Sequence, residues 1–134
     1  MAEDNSAEIG SIVWTDLTTA DAERTRKFYE AVVGWKSEPV SMVDYDDFSM
    51  VAPESGRTIA GICHARGTNA ALPAQWLMYI IVEDIDASAA RCAEMGGKVI
   101  VDQKGMGTHG RYCVIEDPAG AVSALFEPAA QPDS

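Results

Sequence analysis

The feature that most restricts how this 134-residue chain can fold is an element order that occurs twice at one fixed spacing. Each half reads strand–helix–strand–strand–strand. Superposing Thr25-Arg26-Lys27 on Ser88-Ala89-Ala90 sets the spacing at 63 residues (88 − 25). At that spacing Asp21 falls on Asp84, Gly34 on Gly97, Trp14 on Leu77 and Gly61 on Ala124. Identity between the halves is slight, so the repeat lies in element order and punctuation, as expected of two copies of one supersecondary unit.

The second copy ends in the clearest local signature, His109 to Pro128. Strands over Arg111–Ile115 and Ala121–Phe126 flank the turn Asp117-Pro118-Ala119-Gly120. Proline suits the second position of a β-turn, and glycine suits a following position that tolerates positive φ. The flanks carry β-branched and aromatic residues in partial alternation. Such a hairpin is marginal alone and requires a larger sheet.

Taken in order, residues 1–10 form an acidic, flexible tail and Ser11–Leu17 a strand. Strand alternation puts Trp14 and Asp16 on one face, with Val13, Thr15 and Leu17 on the other. A helix follows, capped by Thr19 or Asp21, with Ala22, Thr25, Phe28, Tyr29 and Val32 as its apolar stripe and Gly34 as its stop. Trp35–Met42, Phe48–Ala52 and Thr58–His64 read as strands, and Asp44, Asp46 and Asp47 as a solvated loop. After a linker at 65–74 the order repeats. It runs through strand Trp76–Val82, a helix capped by Asp84 or Asp86 with stripe Ile85, Ala89 and Cys92, the stop Gly96-Gly97, and strand Lys98–Asp102. A glycine-rich loop, Gly105–Gly110, then leads into the hairpin and reads as a mobile flap. The predicted organisation is a single domain over 11–128, with module 1 at about 11–64, module 2 at about 75–128, and a tail at 129–134.

The fold class expected is α+β, two βαβββ modules in tandem that form a curled sheet and cleft with the helices outside. Val13, Thr15, Leu17, Met78, Ile80 and Val82 would form the apolar layer under the helices. Trp14, Asp16, Leu77, Tyr79 and Ile81 would face the cleft.

Charge and cysteine usage narrow the function. A net charge of −11 argues against nucleic acid and anionic membranes as partners. No apolar run is long enough to span a bilayer and the start has no secretory h-region, so the expected location is cytoplasmic. Cys63, Cys92 and Cys113 are odd in number and widely spaced, which suits reduced thiols rather than a disulfide framework or a zinc site.

The segments DLTTADAERTRKFYEAVVGW, VEDIDASAARCAEMGGKV and GRYCVIEDPAGAVSALFEP together resemble the vicinal oxygen chelate superfamily, which includes glyoxalase I, extradiol dioxygenases and bleomycin-resistance proteins. The resemblance runs from about Ser11 to Pro128. It implies paired βαβββ modules around a cleft, usually completed in a homodimer. Metal-dependent members hold a divalent ion with His and Glu side chains from the first, fourth, fifth and eighth strands. Here those positions carry Trp14, Gly61, Leu77 and Ala124, none of which ligates a metal. The resemblance thus implies the metal-free, bleomycin-resistance-like branch, with no cofactor.

Asp16 would be a carboxylate on an apolar face, needing an arginine, a hydroxyl or a ligand cation. Trp14 and Tyr79 suit stacking on a flat or cationic ligand, with plain core packing as the alternative. Tyr112 shares a face with Val114, which the resemblance turns toward the cleft. His109, at the end of the glycine loop, could serve as acid, base or donor, or simply lie exposed. His64 reads as a strand-end residue rather than a ligand. The glycine loop lacks the order of a phosphate-binding loop, and the acidic loop lacks EF-hand spacing. The function expected is binding of a small planar, neutral or cationic organic molecule at Trp14, Asp16, Leu77, Tyr79, His109 and Tyr112. The alternative is a metal-independent lyase or isomerase using Asp16, His109 or a tyrosine, or a metal-dependent member if the strand register shifts by one.

Overall fold

The computed structural model describes residues 8–129. Ten regular elements follow one another. They are β1 (Ile12–Thr19), α1 (Ala22–Val33), β2 (Lys36–Ser41), β3 (Asp46–Val51), β4 (Thr58–His64), β5 (Trp76–Ile81), α2 (Ile85–Glu94), β6 (Lys98–Gly105), β7 (Gly110–Glu116) and β8 (Val122–Pro128). The expected class holds: the order is βαβββ twice, in an α+β chain. Single 3-10 turns at Gly67–Asn69 and Gly107–His109 interrupt the connections.

The chain packs as two compact units. One holds Trp14–Trp76, the other residues 8–13 together with 77–129. Of the residues expected as an N-terminal tail, 1–7 lie outside the described residues. Gly10 donates its amide to the Ile81 carbonyl (2.8 Å), and the Ile81 amide bonds the Ser11 carbonyl (2.9 Å).

Within the Trp14–Trp76 unit the strand order is β2-β3-β4-β1, with β1 and β4 parallel and the other neighbours antiparallel. The core lies between this sheet and α1. Ala22, Phe48, Met50 and Ile62 are buried together, with Tyr29, Trp35 and Trp76 packed against them. Burying side chains as large as Met50 and Ile62 contributes roughly 1.5–3 kcal/mol each. Asp21 caps α1 by accepting from the Arg24 amide, and Gly34 ends it in the left-handed conformation.

The helix buries a different stripe from the one expected. Phe28 and Val32 are 56% and 64% exposed, while Ala22 and Tyr29 face the core. The cause is Arg26, whose guanidinium lies 4.8 Å over the Phe48 ring while it pairs with Glu23 and Glu30. Its long apolar stem occupies helix surface that a hydrophobic side chain would otherwise cover.

The second unit has the equivalent order β5-β8-β7-β6, again with one parallel pair, β5 and β8. Ile85 of α2 is buried with Cys113 and Leu125, and Ile80, Val82 and Ile115 pack against them. Asp84 caps α2 through the amides of Asp86 and Ala87. The outer residues of the predicted apolar layer, Val13 and Met78, are instead 37% and 45% exposed.

The supposed flap is also different. Strand β6 continues to Gly105, and the rest is a tight turn in which the Met106 amide reaches the Gly110 carbonyl at 2.7 Å. Gly110 is required there. Its φ is +132°, and a Cβ would lie 2.1 Å from the Glu127 carbonyl oxygen.

Candidate functional site

In the Trp14–Trp76 unit, the face of the sheet away from α1 carries the candidate residues of β1. Leu17 is paired with Ile62 of the core, so alternation turns Trp14, Asp16 and Thr18 to the other side. Asp16 stands opposite Gly61 across the parallel β1–β4 pair. Gly61 leaves room for them, since a Cβ there would stand 3.3 Å from Asp16 Cβ and 3.4 Å from a Trp14 ring carbon. The Trp14 indole N–H donates to Asp16 Oδ2 at 3.4 Å. An indole is thus among the partners of this half-buried carboxylate, for which an arginine, a hydroxyl or a ligand cation was expected.

Two residues of this face escaped sequence reasoning. Cys63, two residues along β4 from Gly61, shares it. Its thiol is held well above the ordinary range, first by burial, then by the negative charges of Asp16 and Asp47 and a hydrogen bond to Asp47. Asp47 is not in a solvated loop. It lies within β3, only 9% exposed, and its Oδ1 accepts from the His64 backbone amide at 2.9 Å and sits 3.3 Å from His64 Nδ1. Tyr45 packs edge-on to the His64 ring, and Arg66 lies 3.9 Å over Tyr45. Nothing in the DYDD run distinguishes Asp47 from its exposed neighbours. The only cue was the alternation that begins at Phe48.

In the second unit the corresponding face carries Leu77, Tyr79 and Ile81 of β5, Ala124 and Phe126 of β8, and Tyr112 and Val114 of β7. The register links Tyr79 to Ala124 and Val114 to Ala124, and the rings of Tyr79 and Tyr112 are 6.0 Å apart and tilted. The shared face expected of Tyr112 and Val114 therefore holds. Leu77 and Tyr79 are buried, at 1% and 9% exposure. His109 closes the 3-10 turn, exposed, with its amide bonded to Met106 and its carbonyl to the Ala129 amide. Its ring makes no hydrogen bond or ion pair among the described residues. Behind this sheet, burial raises the Cys113 thiol to about 11, with smaller contributions from Cys92 and Asp102.

The four positions at which metal-dependent relatives carry ligands hold an indole, a hydrogen, an isobutyl and a methyl group, at Trp14, Gly61, Leu77 and Ala124. These side chains offer no lone pair to a divalent ion, and Leu77 and Ala124 are buried in apolar surroundings. The residues do not fit the family's metal. Among the described residues no three His, Cys, Asp or Glu side chains converge in a way that would hold one elsewhere. None of the described helices is long and apolar enough to cross a membrane.

Tandem βαβββ units, each with its helix packed on one face of its sheet, define the class of protein. The chain belongs to the Glyoxalase/Bleomycin resistance protein/Dioxygenase superfamily, whose family model matches residues 11–124. It is 32% identical over 124 residues to the Mycobacterium tuberculosis protein named "Putative glyoxylase CFP32", covering 92% of this chain and 46% of that protein. It is 26% identical to the anthracycline biosynthesis protein DnrV of Streptomyces peucetius, with 87% and 46% covered. The chain thus spans about half the length of these curated relatives. Among solved structures, methylmalonyl-CoA epimerase from M. tuberculosis matches with a TM-score of 0.55 at 18% identity, covering 96% of this chain and 94% of that one. A Streptomyces coelicolor methylmalonyl-CoA epimerase variant in complex with 2-nitronate-propionyl-CoA matches at 0.57 and 18%, covering 92% and 100%. At these identities the structures share the fold.

Proposed function

We propose that this chain binds a small planar organic molecule, neutral or cationic, without a metal, on the sheet face that carries Trp14 and Asp16; Tyr79 and Tyr112 give the other unit an aromatic face of its own. The observation that carries this reading is the Trp14–Asp16 pair, an indole and a carboxylate held together on one strand face with room kept for them by Gly61. An aromatic face beside a carboxylate favours a flat cation through stacking and charge. The absence of any lone-pair donor at the four ligand positions of metal-dependent members supports a metal-free mode. The partner in solution is a second copy of the chain, and the protein works in the cytoplasm.

A planar cation such as N-methylquinolinium and its neutral isostere, methylnaphthalene, test this by tryptophan fluorescence. Trp14→Ala weakens both by ~1–3 kcal/mol, the range for a buried aromatic anchor. Asp16→Asn weakens the cation selectively, and equal losses for both compounds would remove the electrostatic half of the site. One equivalent of Ni, Zn, Mn or Fe surviving dialysis would refute the metal-free reading, and a monomer mass by light scattering would refute the dimer.

A second reading, proton-transfer catalysis by a metal-independent lyase or isomerase, draws on the relatives' printed names and on the titratable groups Asp16, Tyr79 and His109. Loss of turnover in His109→Asn or Asp16→Asn at unchanged ligand affinity separates it from simple binding.

A further inference from the structure

A cavity lies on the side of β1 opposite Trp14 and Asp16. It occupies about 420 Å³ between the first half of α1, the end of β1 and the chain entering β5. That volume is within the range of small-molecule sites, roughly 300–1,000 Å³. It is separate from the face proposed above, because its wall residue Leu17 alternates with Asp16 along β1 and points the other way.

Three observations say what it would hold. Its walls are aromatic: Trp76, Tyr29 and Phe28 stand edge to face in sequence, with centroids 5.3 and 5.1 Å apart. Phe28 nevertheless stays 56% exposed, so the packing leaves this wall uncovered. A cation also lines the cavity. Arg26, Arg91 and Arg111 each hold a carboxylate, while the Arg24 side chain makes no ion pair among the described residues. Arg24 and Phe28, four residues apart, share one face of α1. Finally, the Tyr29 hydroxyl accepts from the Trp76 indole N–H at 3.1 Å, which leaves its own proton for another acceptor.

We infer that this cavity is a ligand site for a planar aromatic carboxylate, its ring against Phe28 and Trp76 and its anion on Arg24 and the Tyr29 hydroxyl. Arginine's planar fork suits a carboxylate bound through two oxygens. The inference does not depend on the function proposed for the Trp14 face.

Naphthoate and the uncharged naphthylmethanol, titrated against the full chain, test it. Tryptophan fluorescence reports affinity and amide chemical shifts report position. Expected are saturable naphthoate binding with shifts at Thr25, Phe28 and Trp76, and a loss of about tenfold or more in Arg24→Gln that naphthylmethanol does not share. Phe28→Ala weakens both compounds. Both positions are exposed, so the variants fold. Absence of saturation at millimolar naphthoate, equal naphthoate affinity in Arg24→Gln, or shifts confined to Trp14, Asp16 and Gly61 would overturn the assignment.

Discussion

Gly61 stands opposite Asp16 across a parallel strand pair, so close that a methyl group on it would crowd Asp16 Cβ at 3.3 Å and touch the Trp14 ring at 3.4 Å. The glycine thereby leaves space for both side chains. Gly61→Val should displace the indole, shift tryptophan emission, and lower affinity for a planar cation by about tenfold or more. The backbone there is not in the left-handed region, so the change acts through side-chain contact rather than backbone strain. Unchanged emission and affinity would show that the Trp14 ring does not need this space.

Asp47→Ala leaves the His64 amide without its acceptor at a half-buried strand end. The expected loss is about 1–3 kcal/mol in urea unfolding. Asp47→Asn, which keeps an acceptor oxygen, should lose less. Equal losses would mean that the charge, rather than the hydrogen bond, is what β4 needs.

The thiols of Cys63 and Cys113 are both pushed upward, chiefly by burial. Each is protonated at neutral pH and should resist iodoacetamide in the native protein while reacting fully once unfolded. Mass spectrometry of the alkylated peptides checks this. The same shifts carry a sign for stability: a thiol whose folded pKa exceeds its unfolded value stabilises the fold below about 9, and that contribution is lost as pH rises further. Cys63→Ala should flatten the alkaline limb of the stability curve.

Glu127 behaves oppositely. It accepts from the Ile85 amide at 2.9 Å, at the start of α2, and from Arg111 Nη2 at 2.7 Å, and these donors hold its carboxyl below the ordinary value of 4.5. Its stabilisation is therefore present above that value and lost as pH falls through the lowered folded one. Denaturation of wild type and Glu127→Gln across pH should show a gap near neutrality that closes in acid. A gap independent of pH would assign the effect to shape.

Much of this organisation was legible before any coordinates. The spacing of 63 reappears in the strand registers: Asp16 pairs with Gly61 and Tyr79 with Ala124, and both members of the second pair lie 63 residues after those of the first (79 − 16 and 124 − 61). The caps Asp21 and Asp84, the stop at Gly34 and the faces of Trp14, Asp16, Tyr79 and Tyr112 follow from local rules. Alternation in a strand and capping of a helix depend on residues within a few positions of one another, so the order of residues alone determines them.

What only the tertiary structure decided depends on partners far along the chain. Asp47 is buried because His64, 17 residues later, receives it. Phe28 is exposed because Arg26 lies over Phe48 and takes the helix surface a larger apolar stripe would have used. Glu127 caps a helix that begins 42 residues before it. The glycine loop is a tight turn because Gly110 passes against the backbone of Glu127 and Pro128. In each case the local sequence permits several arrangements of similar free energy, and a contact that exists only in the folded chain selects one.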